Sequence, residues 1–411
     1  MTKSPLITPV LLAGCAILMI SFAIRASFGV FQIPIAAEFG WLRSEFSLAI
    51  AIQNLAWGIG QPLFGAIAER FGDRRAIIFG AVLYSAGLVI SSIAVTPGQH
   101  QMLAILVGFG IAGTGFGTIL PIVGRASSPE NRSMTLGIAS ALGSAGQVIG
   151  PVTAEVLLRS YHWQTVFVIF AVGILLVLFA LPFLRVTERS ASSENEEALG
   201  TVVARAFRDP SYVLIFLGFF SCGYQLGFIT AHFPAFVTEL CGPIQAGSML
   251  AGMGITTTSA LGAAAIGIIG FFNIGGTLFA GWMGNRHAKK NLLCLIYVGR
   301  TVASAAFILL PVTPLSVVIF SAVMGSLWLA TVPLTSGLVA HIYGVRYMGT
   351  LYGFVFLSHQ IGSFLGVWLG GKMYDLQGDY TLVWWIGVGV GAFSAVVHLP
   401  IRERRLVAQA A

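Results

Sequence analysis

The chain has 411 residues, 56% hydrophobic and 9% charged, with a mean hydropathy of +0.88 and a net charge of +7. A soluble domain carries about a quarter charged residues, so this composition excludes one and places the chain in a bilayer. Cys15, Cys222, Cys241 and Cys294 lack metal-ligand spacing, and the basic residues lie in short loops between apolar runs, where they speak of membrane topology and exclude a nucleic-acid surface.

In chain order, apolar runs of about 20 residues, long enough to span, fall at 9–36, 46–67, 76–95, 102–124, 134–157, 164–184, 212–236, 257–282, 291–311, 315–338, 348–371 and 381–399. They predict twelve spans, six on either side of one polar stretch. Seventeen Lys and Arg residues share a side with the N-terminus, against Arg43, Arg159 and Lys372 on the other. That asymmetry predicts that both termini are cytoplasmic.

Within the first run, Leu12-Ala-Gly-Cys15 has the form of a lipoprotein cleavage box. Only Lys3 precedes it and the apolar run continues to Ile35, so it reads as chance. The glycines from Gly108 to Gly117 read as a close-packing face, because neither a preceding strand nor a following Lys-Ser/Thr marks a phosphate loop. The polar stretch predicts a division into an N-terminal six-helix bundle (1–186), a cytoplasmic linker (187–210) and a C-terminal six-helix bundle (211–411). In the linker, Ser190 to Glu197 is charged and poor in aromatics, and 198–207 predicts a short amphipathic surface helix. Glu239 to Thr258, rich in glycine, reads as an external loop or flap.

Gly65 to Arg75 (GAIAERFGDRR) stands between the second and third runs, and a degenerate copy, Gly281 to Lys290 (GWMGNRHAKK), stands between the eighth and ninth. The same offset of 216 joins Gly65 to Gly281, Glu69 to Asn285, Arg70 to Arg286, Gly137 to Gly353, Gly146 to Gly362 and Gly150 to Gly366. A membrane chain made of two related halves is the signature of a transporter.

The pattern Gly65-x-x-x-Glu69-Arg70-x-Gly72-x-Arg74-Arg75 resembles the signature loop of the major facilitator superfamily, and Gly137, Gly146, Gly150 and Pro151 resemble its helix-5 glycine motif. The resemblance implies an all-α integral membrane protein with twelve transmembrane helices in two pseudo-symmetric six-helix bundles. It also implies that helices 1, 4, 7 and 10 line the path. A finer resemblance is to the bacterial monocarboxylate porter and oxalate/formate exchanger branch. It rests on Arg25-x-x-Phe28-Gly29-Val30-Phe31, Glu38-Phe39-Gly40-Trp41, Pro333 to Gly337 and Leu357 to Gly366. The chain departs from it at helix 8, where Asn273 stands in place of an arginine or aspartate, and it lacks the helix-4 arginine of drug/proton antiporters.

The signature loop supplies the expected gate: Gly65, Glu69, Arg70, Gly72, Arg74 and Arg75, with Asn285 and Arg286 as its weaker copy. Glu69 lies at the C-terminal end of its helix, where the helix dipole opposes its charge, so it needs a partner. Arg70, Arg74 or the start of helix 11 near Tyr347 could provide one, closing the cytoplasmic side as the halves rock.

Arg25 is the leading cavity residue. An arginine deep in a span costs about 2.5–3.5 kcal/mol on insertion scales and faces protein or water. No carboxylate lies near it in helix 1, and an unpaired guanidinium suits a carboxylate through paired hydrogen bonds. Gln32 shares its face by spacing; Gln53 and Asn54 on helix 2, Tyr224, Gln225 and His232 on helix 7, Asn273 on helix 8, and His359 and Gln360 on helix 11 complete the expected binding set. Interhelical glue is the alternative for most of these. Arg300 reads as structural, since helix 9 is peripheral in such folds.

The expected function is therefore secondary active transport of small organic anions, monocarboxylates foremost, as a monomer in the bacterial inner membrane. Its partners are the anion, the lipid bilayer and a coupling proton or counter-anion, with no nucleic acid. A drug or metabolite efflux pump and a non-transporting membrane sensor or receptor are the alternatives. No nucleophile-base pair, metal cluster or nucleotide loop is present, so no enzymatic activity, metal or cofactor is expected.

Overall fold

The computed structural model describes residues 6–128, 132–184, 199–344 and 348–404; the side chains of Ala66, Glu69, Arg70, Arg132, Ser133 and Leu199 lie outside that description. Among these residues are twelve long helices: α1 (Pro9–Phe39), α2 (Arg43–Phe71), α3 (Asp73–Ser91), α4 (Pro97–Arg125), α5 (Arg132–Leu158), α6 (Trp163–Phe183), α7 (Pro210–Leu240), α8 (Thr258–Gly284), α9 (Lys289–Leu309), α10 (Pro314–Tyr343), α11 (Met348–Gln377) and α12 (Thr381–His398). Eleven are apolar enough to cross a membrane by composition, and α2 is the twelfth. Its 29 residues give ample length, while Gln53, Asn54 and Gln61 lower its hydropathy.

Several helices outrun their apolar runs. α7 begins at Pro210 and α11 continues to Gln377, because the terminal turns are polar and belong at headgroup depth. Three are interrupted. α1 tightens into a 3₁₀ turn over Phe28–Phe31, α4 breaks at Gly115, and α10 breaks between Leu327 and Thr331.

The helix-5 glycines act through packing. A Cβ at Gly146 would stand 2.2 Å from the Met19 carbonyl oxygen, and one at Gly150 would stand 2.0 Å from that of Ala23. In the second bundle, a Cβ at Gly362 or Gly366 of α11 would stand 2.1 or 2.3 Å from the carbonyl oxygen of Phe220 or Tyr224 on α7. Each bundle is thus seated on the same glycine contact. The contact also fixes the register of the first helices: Met19 answers to Phe220 and Ala23 to Tyr224, an offset of 201 against 216 elsewhere. The missing 15 residues are the longer connection between α7 and α8, which holds a short helix, Met249–Gly252, with Met249 and Met253 exposed.

Between the bundles, α2 packs along α11, α5 along α8, and α1 meets α7 where a Cβ at Gly29 would lie 2.3 Å from the Thr230 carbonyl oxygen. In the linker, Leu199–Arg208 forms the expected amphipathic helix, burying Val202 and Ala206, while Phe207 packs edge-on against Tyr212, Phe216 and Phe354. The charged stretch Ser190 to Glu197 lies outside the described residues.

Candidate functional site

Arg25 stands in the last turn of α1 before the 3₁₀ turn and is 8% exposed. Its Nη2 donates to Asn54 Oδ1 at 3.4 Å, and its guanidinium lies 4.8 Å from the Trp57 ring centre and 5.9 Å from that of Phe22. Its Nε has no partner, and none of the ion pairs among the described residues includes it. Arg25, Gln53, Asn54 and Thr230, with the apolar Phe28 and Ile50, line a small cavity between α1, α2 and α7. The cavity therefore sits on the boundary of the two bundles. It has room for about one water molecule, with one fixed positive charge on the wall.

Gln53 and Asn54 join Arg25 as expected; other expected residues go elsewhere. Gln32 is fully buried with both amide atoms unpartnered and lies outside the cavity lining. The 3₁₀ turn between the two residues advances about 120° per residue and breaks the spacing on which a shared face was predicted. On α7, the Tyr224 hydroxyl donates to the Val383 carbonyl at 3.1 Å and Gln225 Nε2 to that of Gly387 at 2.9 Å, so both turn to α12. His232 Nε2 lies 2.7 Å from the Val367 carbonyl oxygen and ties α7 to α11.

Asn273 is a cross-bundle bracket. Its Nδ2 donates to Ser144 Oγ on α5 at 2.8 Å, and its Oδ1 accepts from Thr277 and from the Leu329 N–H at the break in α10, each at 2.9 Å. Gln360 connects to the cavity wall instead: its Nε2 donates to the Asn54 carbonyl at 3.1 Å, and its Oε1 lies 2.8 Å from His359 Nδ1.

The signature loop makes its turn at Gly72, whose φ of +93° favours glycine. The side chains of Glu69 and Arg70 fall outside the described residues, as does Tyr347 before helix 11. Arg74 donates to the carbonyls of Pro182 and Leu184, both at 3.4 Å, at the end of α6. Its repeat partner, Lys290, does the same at the end of α12, donating to the Leu399 carbonyl at 2.9 Å. Both cations answer the negative end of a helix. Asp73 pairs with Arg125 at 2.7 Å, inside the first bundle. Gly65 has open space about it, Arg75 and Asn285 are exposed, and Arg286 stacks over Trp282 at 4.1 Å.

A cluster of charges that joins the two bundles at the opposite face was not among the predicted residues. Arg43 at the start of α2 pairs with Glu239 at the end of α7, and its Nη1 donates to the Tyr380 hydroxyl oxygen at 2.9 Å. Burial pushes the Tyr380 phenol up to about 12, against the opposing pull of Arg43, so its oxygen is a neutral acceptor. Asp375 of α11 accepts from the backbone N–H groups of Arg43 and Ser44 at 3.2 and 2.9 Å, capping α2 across the bundle boundary. A Cβ at Gly371 would stand 2.0 Å from Ser47 Oγ, so this face is tightly shut. Toward the other face the same helix pair loosens: a Cβ at Gly353 would be 3.7 Å from Pro62. The available signal was three charges of complementary sign at span ends on one side.

A family model described as Major Facilitator Superfamily matches residues 13–355 and 257–411. The chain is 25% identical over 393 residues to the uncharacterized MFS-type transporter YcxA of Bacillus subtilis (strain 168), covering 91% of this chain and 90% of the relative. It is 24% identical over 375 residues to monocarboxylate transporter 13 of Rattus norvegicus, covering 88% and 80%. A shorter likeness, 25% over 151 residues and 36% of this chain, joins it to multidrug resistance protein 3 of Bacillus subtilis (strain 168).

Proposed function

Because the chain belongs to the Major Facilitator Superfamily, we propose that it carries small organic anions, monocarboxylates foremost, across the cytoplasmic membrane by alternating access. The observation that carries this reading is Arg25: a buried guanidinium with a free Nε, facing a cavity at the bundle boundary and paired with no carboxylate among the described residues. Its single bond to Asn54 is to a neutral amide oxygen, which an incoming carboxylate displaces without leaving a charge behind. The aromatic rings of Trp57 and Phe22 hold the guanidinium plane while its edge remains available. The long likeness to a monocarboxylate transporter supports the same substrate class.

The Lys and Arg asymmetry supports cytoplasmic termini, and in that orientation the face shut by Arg43, Glu239 and Asp375 is the outer one. Release of that cluster would admit substrate from outside, and its closure would commit the anion to the inner side.

Binding is tested by thermal unfolding of the purified protein with pyruvate, lactate, benzoate or a cationic dye. A ligand at a hundred times its dissociation constant stabilises the folded state by about 2.7 kcal/mol. Stabilisation by a carboxylate, lost in Arg25→Gln, is expected. Carboxylate stabilisation that is unchanged in Arg25→Gln would remove Arg25 from the site.

A further inference from the structure

Under the two repeat registers, a node of three side chains in the first bundle has a counterpart in the second. In the first, Ser21 Oγ and Thr114 Oγ1 lie 2.9 Å apart and the Tyr84 hydroxyl donates to the Ser21 carbonyl at 3.4 Å. Ser21 answers to Cys222, Tyr84 to Arg300, and Thr114 to within one residue of Thr331. In the second, Arg300 Nη1 donates to Cys222 Sγ at 3.3 Å, and Thr331 Oγ1 lies 3.3 Å from the same sulfur. A neutral node has become one built on a fully buried cation.

Arg300 is 0% exposed, and no ion pair among the described residues includes it. Its Nε and Nη2 have no partner, and sulfur is its one hydrogen-bond acceptor there. A neutral thiol is a weak acceptor and gives such a charge little compensation, whereas a thiolate is a full countercharge. Cationic neighbours are what favour the ionised thiol in proteins. The groups that face the sulfur are Arg300 and Tyr297 on α9, Thr331 on α10, and His359 and Tyr352 on α11, with His398 of α12 stacked on Tyr297 at 5.1 Å. No carboxylate is among them.

The node is joined to the anion site. From Cys222 the path runs to His359, whose Nδ1 lies 2.8 Å from Gln360 Oε1; Gln360 donates to the Asn54 carbonyl, and the Asn54 side chain accepts from Arg25.

We infer that Cys222 is held as a thiolate, the countercharge of Arg300, and that this sulfur is the site at which the carrier takes up and releases a coupling proton. The step forms one S–H bond from a proton of the compartment with the higher proton activity and breaks it on the other side; no oxidant or other co-reactant enters. The coupling role rests on the anion-carrier reading, whereas the charge state of the sulfur does not.

The test is the infrared S–H stretching band of the full-length protein, in which the four cysteines are free. At neutral pH, the difference between wild type and Cys222→Ser is expected to contain no S–H intensity; one thiol's worth should appear as the pH is lowered. Arg300→Gln should show that band already at neutral pH, and Arg300→Lys should not. If Cys222→Ser fails to fold, the pH difference spectrum of wild type against Arg300→Gln reads the same thiol. A Cys222 S–H band in wild type at neutral and alkaline pH would overturn the inference. In proteoliposomes, gradient-driven anion uptake should lose its pH-gradient stimulation in Cys222→Ser while anion exchange continues. Anion uptake indifferent to the gradient in wild type would overturn the coupling role, and no anion uptake at all would overturn the carrier reading while leaving the infrared result to stand.

Discussion

Arg25 and Arg300 lie within the apolar runs, and the fold puts them on different errands. Arg25 borders a cavity between the bundles; Arg300 is sealed inside the second bundle against a sulfur. Asn273 shows how a polar residue in a span can be fully used by the scaffold, since its amide is engaged at three points across α5, α8 and α10. Replacing it with leucine leaves the Leu329 N–H unpaired at the break in α10, at a cost of about 1–3 kcal/mol. Thermal unfolding of Asn273→Leu should show that loss, with the carboxylate affinity of the folded fraction unchanged; a selective loss of affinity instead would return Asn273 to the substrate site. Arg25 was legible in the sequence because a cation in an apolar run is conspicuous. The directions of Tyr224, Gln225 and His232 were not, because α7 is buried on nearly every side and its hydrophobic pattern points nowhere.

At the scale of helices, α2 is held by its two ends. Its C-terminal end runs into the Gly72 turn, and its N-terminal end is capped by Asp375 from α11, more than 330 residues away in the chain. The signature loop was readable from its spacing, and the structure adds a concrete task for it, with Arg74 and Lys290 each holding the end of the sixth helix of its own bundle. The cap was not readable, because sequence shows the charges at the span ends without showing which helices meet. Asp375→Ala should uncap α2 and loosen the outer closure. Labelling of a Ser47→Cys variant by a membrane-impermeant maleimide should then rise several-fold, as expected for a lost cap worth about 1 kcal/mol. Unaltered labelling would mean that the glycine contacts alone keep this face shut.

Across the whole molecule, the repeat accounts for most of the architecture. One offset of 216 was visible from α2 to α5, whereas the offset of 201 that relates α1 to α7 was hidden by the longer α7–α8 connection and emerged from the glycine contacts. Both bundles keep the same seats, so chemical asymmetry concentrates where the copies differ: a buried guanidinium at Arg25, a thiol and guanidinium at Cys222 and Arg300, and a clasp between Arg43 and Glu239. The central claim is that this asymmetric pair of bundles moves organic anions through Arg25. It is tested most directly by uptake of labelled pyruvate, lactate, oxalate, an aromatic carboxylate and a cationic dye into proteoliposomes, comparing wild type with Arg25→Gln. Saturable uptake of at least one carboxylate, reduced in Arg25→Gln to the level of empty vesicles, is the predicted result. Dye flux that survives the substitution, with no carboxylate flux in wild type, would contradict it.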